Sequence, residues 1–174
     1  MRKRNAIIGL AIVAVVGGWY AFRPERLFVN KTVNESLGAV TPTSGSAPAA
    51  AAAPATLAMG SFHSNAHDTR GTAAVIDVGG GNRVLRLTNF ATSNGPDVRV
   101  YLVAAADVQD NSTVKSVDHV ELGPMKGNIG DQSYDIPATV DLANCRTVTI
   151  WCKRFSVNFG TAPLNSPMQS MNVQ

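Results

Sequence analysis

The amino-acid sequence predicts an all-β protein, with a single small β-sandwich or barrel-like domain after an N-terminal transmembrane helix and a flexible linker. Three observations lead to this fold class. The apolar runs after residue 60 are short, most of them end at turn residues, and none shows a long 3.6-residue period. Short apolar runs separated by turn signals are typical of sandwiches and barrels.

The first element is an apolar stretch of 17 uncharged residues, Ala6–Phe22, with three bases before it. As a helix it is about 25 Å long, which is enough to cross a thin bilayer. The preceding bases place the N-terminus in the cytoplasm and the rest of the chain outside it. A cleaved signal peptide is the alternative, although the run ends in bulky aromatic residues and not in a small-residue cleavage site. We therefore expect a single-pass cell-membrane protein with an extracytoplasmic domain, or a secreted domain after cleavage.

The second element is a linker. Residues 38–60 are rich in Ala, Pro, Ser, Thr and Gly, and such a segment has little apolar surface to bury. We expect residues 1–24 to hold the anchor or signal and residues 25–57 to be a flexible tether. Residues 58–165 are expected to fold, and residues 166–174 to form a mobile tail.

The folded part contains successive strand signals. The glycine-rich turn GGGN between the first two apolar runs predicts a hairpin. After the turn NGP, Val98, Val100 and Leu102 alternate with Arg99 and Tyr101, as in a strand with one buried face. The segment NIGDQSYDIP is expected to be a loop that enters a strand. Strands are expected in 72–78, 83–90, 97–106, twice within 117–137, in 147–152 and in 155–160.

The charge distribution excludes a nucleic-acid-binding surface. The net charge is +3, but six of the 15 bases lie at or before Lys31. The part after residue 57 has nine bases and ten acids, so it offers no basic stripe for phosphates. The sequence contains no nucleophile motif, phosphate-binding loop or dinucleotide fingerprint, and it indicates no turnover reaction.

Two cysteines, Cys145 and Cys152, are the residues most suggestive of chemistry. In one extended strand they would lie about 23 Å apart and point to opposite faces, whereas a disulfide needs Cα atoms within about 7 Å of each other. We therefore expect two unpaired thiols. For Cys152 four roles stay open at this point: a buried spacer, half of a disulfide, a metal ligand or a redox group. Cys145, at the edge of a strand, is expected to be the more exposed.

The sequence around Cys152 indicates a break in the strand. Apolar residues occupy even positions up to Cys152 and odd positions from Phe155 onward, so the buried face changes across Lys153 and Arg154. A β-bulge or a tight turn produces such a change. Two cations beside the thiol would favour its reactive thiolate form if they faced it.

The histidines give a weaker signal. His63 and His67 have the spacing of metal ligands on a helix, but their segment is rich in Ser, Asn and Gly. A copper-type site that joins one of them to Cys152 is a hypothesis. The sequence requires no cofactor, and these three residues are weak candidates for a bound metal.

Four segments, taken in order, resemble the DM-thirteen domain family, the electron transfer DM domain. The resemblance covers about residues 58–165, and it implies a small β-sandwich-like domain related to the DOMON cytochrome-type modules. Bacterial members of the family are membrane-tethered. The segments are GSFHSNAHDTRGTAAV, LRLTNFATSNGPDVRVYL, LGPMKGNIGDQSYDIP and VTIWCKRFSVNFGTAPL.

The resemblance implies roles for particular residues. The family's cysteine in the WC motif corresponds to Cys152 and is thought to be redox-active. The histidine of the first segment aligns with His67, and the GPD turn corresponds to Gly95, Pro96 and Asp97. The resemblance makes His67, Gly95 and Asp97 the binding candidates. Cys145 has no counterpart. The haem of the DOMON relatives is not implied, because no axial Met/His pair is evident.

Two functions of different classes follow. One is a redox or electron-transfer module that presents Cys152 to an unknown protein or redox partner. The other is a non-enzymatic binding or scaffold domain with a buried, structural Cys152, in which the loops 91–97 and 123–131 contact a partner. Thiol reactivity separates the two functions, because a buried structural cysteine is inert.

Overall fold

The computed structural model describes residues 2–22, 29–37 and 54–166, and in these residues two five-stranded sheets form a small, mostly β domain. The predicted fold class is confirmed to that extent. Residues 38–53 and 167–174, which the predicted linker and tail include, lie outside the described residues. The elements are α1 (Arg2–Phe22), β1 (Thr32–Asn34), β2 (Ala55–Ser61), β3 (His63–Ser64), β4 (Arg70–Gly79), β5 (Asn82–Ala91), β6 (Val98–Val103), α2 (Asn111–Ser116), β7 (His119–Pro124), β8 (Ile129–Ile136), β9 (Thr147–Cys152) and β10 (Val157–Pro163).

The strands form two sheets that we call sheet I and sheet II. Sheet I has the order β1-β8-β5-β4-β2, and sheet II has the order β3-β10-β9-β6-β7. Neighbouring strands are antiparallel except β1 and β8, which are parallel. The predicted hairpin is β4–β5, and its turn residues Gly80 and Gly81 have φ values of +65° and +79°. These are the positive φ values of a type I′ turn, which glycine adopts without steric cost.

The core lies between the inner faces of the two sheets. Alternation along β6 places Val98, Val100 and Leu102 inside, as the sequence predicts. Leu85 and Leu87 of β5 belong to the same cluster and are fully buried. Period-two alternation of the side chains therefore decides which residues fill the core.

Sheet II is also covered on part of its outer face. All six residues of β9 are buried, because α2 and the segment before it pack over the outer side of this strand. The carboxylate of Asp110 caps α2 by accepting a hydrogen bond from the backbone N–H of Thr113 at 2.8 Å. No sequence pattern predicts α2, because six residues are too short to display a helical period. This second cluster contains Tyr101, Val103, Val108, Val114 and Trp151.

The structure corrects the expectation for the segment NIGDQSYDIP. Residues Ile129–Ile136 form the regular strand β8, which pairs with β5, whereas a loop entering a strand was expected. Alternation is visible in hindsight, because Gln132, Tyr134 and Ile136 face inward. The inward Gln132 hides the apolar pattern, and its amide accepts hydrogen bonds from the backbone N–H groups of Lys126 and Gly127.

The N-terminal helix α1 comprises Arg2–Phe22. Within the part of the chain that the structure describes, no helix is both long enough and apolar enough to cross a membrane. The structure therefore does not support the transmembrane helix predicted over Ala6–Phe22.

Candidate functional site

Cys152 is the last residue of β9 and lies in the inter-sheet core. Its neighbours in register are Val98 of β6 and Val157 of β10. The residue is 0 % exposed and belongs to the main hydrophobic cluster, and its thiol is free of any disulfide. An apolar enclosure of this kind protects a thiol from reagents in solvent.

A four-residue turn follows Cys152 and explains the change of buried face. Residues 153–156 leave β9 and return as β10, with Val157 opposite Cys152. Ser156 has a φ of +54°, which a tight reversal requires. The predicted tight turn is therefore present. Lys153 and Arg154 are exposed, so the two cations stand in solvent and not against the thiol.

The turn is fastened to the GPD segment. The backbone N–H of Lys153 donates to the carbonyl of Asp97 at 2.9 Å, and the Asp97 carboxylate accepts from Arg99 Nε at 2.6 Å. Glu121 of β7 then links Arg99 and Lys153, at 2.7 Å and 3.1 Å. It also accepts a hydrogen bond from the Tyr101 hydroxyl at 3.2 Å. We call Asp97, Arg99, Glu121 and Lys153 the turn clamp.

The charges of the clamp shift the pKa values of its members. Burial raises the pKa of Glu121, but the hydrogen bond from Lys153 and the charge of Arg99 outweigh it, and the pKa lies below its ordinary value. Burial, with a contribution from the charge of Glu121, raises the pKa of Tyr101 to about 12. Hydrogen bonding to Asp97 is the main cause of a raised pKa for Arg99. Glu121 therefore carries its charge, and Tyr101 remains a neutral donor, at neutral pH.

His67 and Gly95 meet at one aromatic ring. The imidazole of His67 packs on Phe159 with ring centroids 3.9 Å apart. A Cβ at Gly95 would come within 2.6 Å of Val98 Cγ2 and 3.0 Å of the Phe159 ring, so a larger residue there would have to displace one of these side chains. The structure thus places two residues of the resemblance around Phe159, which shares the core cluster with Cys152.

Gly95 and Asp97 also line a cleft of about 680 Å³. Its other walls come from the segment around Met125 and Asn128 and from residues 29–31. The cleft lies at the end of the sandwich where the turn clamp begins. A small molecule in this cleft could contact the GPD turn from solvent.

His63 lies in a second cleft, of about 580 Å³, whose lining includes Asn65, Gln109, Asn111 and Asn158. Its Nε2 atom is 2.8 Å from Oδ1 of Asp107. Burial raises the pKa of Asp107, but hydrogen bonds from His63 and Gln109 outweigh that effect and lower the pKa overall.

The predicted metal site is not assembled in the described residues. No three or more His, Cys, Asp or Glu side chains lie close enough there to hold an ion together. His63 is paired with Asp107, and His67 packs on Phe159. The third histidine, His119, stacks on Tyr101 with ring centroids 5.0 Å apart.

The structure corrects the expectation for Cys145. This residue is 8 % exposed and belongs to the main core cluster, whereas exposure was expected. Cys145 precedes β9 in a turn, in which its N–H donates to the carbonyl of Asp141, so the strand geometry assumed for it does not apply. Burial, with the negative charges of Asp141 and Asp118, raises the pKa of its thiol. Both cysteines are unpaired, as predicted.

Sequence reasoning missed three polar residues of these sites: Glu121, Asp107 and Asn158. Glu121 alternates with the inward Val120 and Leu122, which marks it only as an outward residue. Asn158 is 1 % exposed, and its amide donates to the carbonyl of Val108 and to the Thr161 hydroxyl. A buried asparagine in a strand is a detectable signal, but its partners are up to 50 residues away in sequence.

Comparison with known proteins gives one match. The family model described as Electron transfer DM13 matches residues 61–164, which contain every element from β3 to β10 but only the last residue of β2. A search of the curated proteins found no significant match. A search of the solved structures found none either. Because the family model spans more than half of the chain, we conclude that this protein belongs to the Electron transfer DM13 family.

Proposed function

We propose that the domain is an electron-transfer module in which Cys152 is a shielded redox group that becomes accessible when the turn 153–156 opens. Membership of the electron transfer family supports a redox-related role. The observation that carries the specific proposal is the position of Cys152. It is a free thiol, fully buried, and the residue after it is already exposed. The turn that follows it directly, residues 153–156, is largely exposed.

The turn clamp is the part that controls access. A single backbone hydrogen bond, from Lys153 to Asp97, holds the start of the turn to the GPD segment. The ion pairs of Glu121 with Arg99 and Lys153 lie near the surface, where such pairs contribute little to stability. Segments held by few buried contacts open locally at a lower free energy than the whole domain unfolds.

The chemistry in the open form is thiol–disulfide exchange. The Cys152 thiol loses its proton to water, and the thiolate attacks one sulfur of a partner disulfide. The partner's S–S bond breaks, a mixed disulfide forms, and the second partner sulfur leaves as a thiolate that takes up a proton. A thiolate of a second partner, a dithiol donor, then attacks the Cys152 sulfur of the mixed disulfide and releases the first partner with both of its sulfurs reduced. The donor's other thiolate attacks the donor's own bonded sulfur, which closes a disulfide within the donor and releases Cys152 as a thiolate. Two electrons thus pass from the dithiol donor to the disulfide acceptor.

Thiol labelling of the purified full-length chain tests this proposal. In a Cys145→Ala background, Cys152 is treated with a small methanethiosulfonate and with a bulky maleimide from pH 5 to 9, alongside metal analysis of untreated protein. We expect slow labelling of the folded protein that is faster for the small reagent and nearly independent of low denaturant concentrations, as local opening requires. Labelling that rises with denaturant as steeply as global unfolding would overturn the proposal.

A binding module is the second candidate, and the polar cleft at His63 favours it. Its lining side chains are mostly amides and hydroxyls that donate and accept hydrogen bonds. Such a lining suits a polar, uncharged ligand with several hydroxyl groups. A thermal-shift screen with small polyols and sugars tests it, and Asn65→Ala should abolish any shift. If none of these compounds shifts the melting temperature and Cys152 is labelled through local opening, the binding function is contradicted and the redox function is supported.

Attachment to a membrane through Ala6–Phe22 is a separate proposal, with the domain on the extracytoplasmic side. The apolar side chains described in α1 are largely exposed, including Leu10 at 75 % and Val13 at 68 %, and an apolar medium would cover them. Carbonate extraction of membranes from cells that make the full-length chain tests it. Retention in the pellet supports attachment, and release into the supernatant contradicts it.

A further inference from the structure

The edge of β8 is occupied by a segment that lies outside the family match. Residues 29–37, which include β1, run parallel to β8 with Thr32 opposite Ile129 and Asn34 opposite Asp131. Beside the strand pairing itself, two flanking backbone bonds join the segments, from Ile129 N–H to the Lys31 carbonyl at 3.3 Å and from Glu35 N–H to the Asp131 carbonyl at 2.9 Å. The matched domain begins only at residue 61. We call residues 29–37 the latch.

The carboxylate of Glu35 is the strongest polar anchor of the latch. It accepts two hydrogen bonds from Lys126 Nζ, at 2.8 Å and 3.0 Å, and one from the backbone N–H of Ser133 at 2.8 Å. Hydrogen bonds with an ionised partner are about twice as strong as neutral ones. The contact therefore selects an acidic residue at this position of the bound strand.

Amide side chains hold the other end of the latch. The backbone N–H of Lys31 donates to Asn128 Oδ1 at 2.7 Å, and Asn128 Nδ2 donates to Asn30 Oδ1 at 2.9 Å. Asn94 Nδ2 donates to the carbonyl of Val29 at 3.1 Å. Asn128 is itself 2 % exposed and is fixed by a bond from its Nδ2 to the carbonyl of Thr92 at 3.1 Å. The buried side chain of Asn128 thus binds the backbone of the latch.

Two glycines make room for the latch. A Cβ at Gly127 would lie 2.5 Å from the Lys31 carbonyl oxygen and 2.8 Å from Val33 Cγ2. A Cβ at Gly130 would lie 2.1 Å from the Val33 carbonyl oxygen. At both glycines, the three nearest atoms all belong to the latch. Gly130 also has a φ of +101°, which itself favours glycine, so Gly127 is the position where the missing side chain most directly makes room for the latch.

We propose that the edge of β8, with Asn94, Lys126, Gly127 and Asn128, is a recognition groove for an extended peptide, and that the latch of the same chain is its ligand. The mode is strand addition, in which backbone bonds give affinity and side-chain contacts give specificity. The groove is specific for an acidic side chain five positions after an asparagine, as in Asn30 and Glu35.

The latch changes the reach of the domain. Only residues 23–28 separate α1 from the latch, and six residues span at most about 22 Å. A free tether over residues 25–57 could span more than about 100 Å. A docked latch therefore keeps the domain beside the N-terminal helix, and it closes one wall of the cleft at Gly95 and Asp97. This inference does not depend on the redox proposal.

Cleavage of the segment between latch and domain tests the groove. A recognition site for a sequence-specific protease is placed within residues 41–52 of the full-length chain, which carries an N-terminal affinity tag. After cleavage in detergent, we expect the domain to stay bound to the tagged fragment, and a synthetic peptide of residues 29–37 to displace it. Separation of the two fragments on the affinity column at micromolar concentration would overturn the proposal.

Two substitutions with a matched control give the test its specificity. We expect Gly127→Ala and Glu35→Gln each to weaken retention of the cleaved domain at least tenfold. Asp135→Asn, an acid-to-amide change at an exposed position of β8, is the matched control and should leave retention unchanged. After cleavage the domain contains Trp151 as its sole tryptophan, so an unchanged emission spectrum shows that each variant is folded. Wild-type retention by folded Gly127→Ala protein would contradict the groove.

Discussion

The two sheets differ in how they are covered. In sheet I, β5 has one face in the core, while the other carries the half-buried Val84 and the Arg86–Asp131 ion pair. In sheet II, β9 is buried on both faces, by the inter-sheet core and by α2. Cys152 is the last residue of β9 and belongs to the inter-sheet core, and the largely exposed turn 153–156 begins directly after it. The proposed route to the thiol is therefore the turn, and the layers that cover β9 provide the contrast that tests it.

The main core, which both sheets share, is expected to contribute most to the stability of the domain. Leu85 is fully buried on the inner face of β5, and its neighbour Val84 lies half-buried on the outer face. We expect Leu85→Ala to lower the free energy of unfolding by about 2–5 kcal/mol, because it removes apolar contacts and leaves a cavity. Val84→Ala is the control and should cost less than half as much. Urea unfolding monitored by circular dichroism measures both, and equal losses would contradict the one-sided covering of sheet I.

Cys152 itself is the next test. In Cys152→Ser a hydroxyl would replace the thiol in an apolar site with no polar partner described for it, and burying such a group costs about 1–3 kcal/mol. Cys152→Ala introduces no polar group and should lose less. The difference in the free energy of unfolding between the two variants, measured with urea, shows whether water reaches the site. Equal stability of the Ser and Ala variants would mean that water already reaches position 152.

The outer layer of sheet II should contribute less than the main core. Val114 of α2 is 1 % exposed and packs in the cluster that includes Trp151. We expect Val114→Ala to cost about 1–2 kcal/mol, since it removes about two buried methyl-sized groups. Lys115→Ala, at an exposed position of the same helix, is the control. The labelling rate of Cys152 should not change, and a large increase would show that α2, and not the turn, controls access.

The sequence predicts most of the fold and less of the site. Alternation in β6 and the GGGN hairpin act over a few residues, so a local pattern reveals them. The tight turn after Cys152 was also readable, because the buried face changes parity there. The burial of Cys145 was not, because it depends on the turn 141–145 and on packing between distant strands. The docking of residues 29–37 on β8 joins segments almost 100 residues apart, and no local signal marks such a pairing.

The turn clamp is expected to contribute least to stability. Its effect should appear instead in the labelling rate of Cys152. Glu121→Gln removes the charge that holds Arg99 and Lys153. We expect it to lower the free energy of unfolding by less than about 1 kcal/mol, as for other pairs near the surface. The labelling rate of Cys152 should nevertheless rise several-fold, because the turn opens more often. Asp135→Asn, an exposed acid-to-amide change on sheet I, should leave the rate unchanged.

The pH dependence of the Glu121→Gln effect follows from the lowered pKa of Glu121. The folded protein binds a proton at Glu121 less readily than the unfolded chain, whose value is near 4.5. The stabilisation by Glu121 is therefore fully present above about pH 5 and is lost as the pH falls through the lower, folded pKa. The wild type should label more slowly than Glu121→Gln at pH 6, and at a pH below the folded pKa the two rates should converge. A rate difference that persists in acid would mean that the charge of Glu121 does not hold the turn.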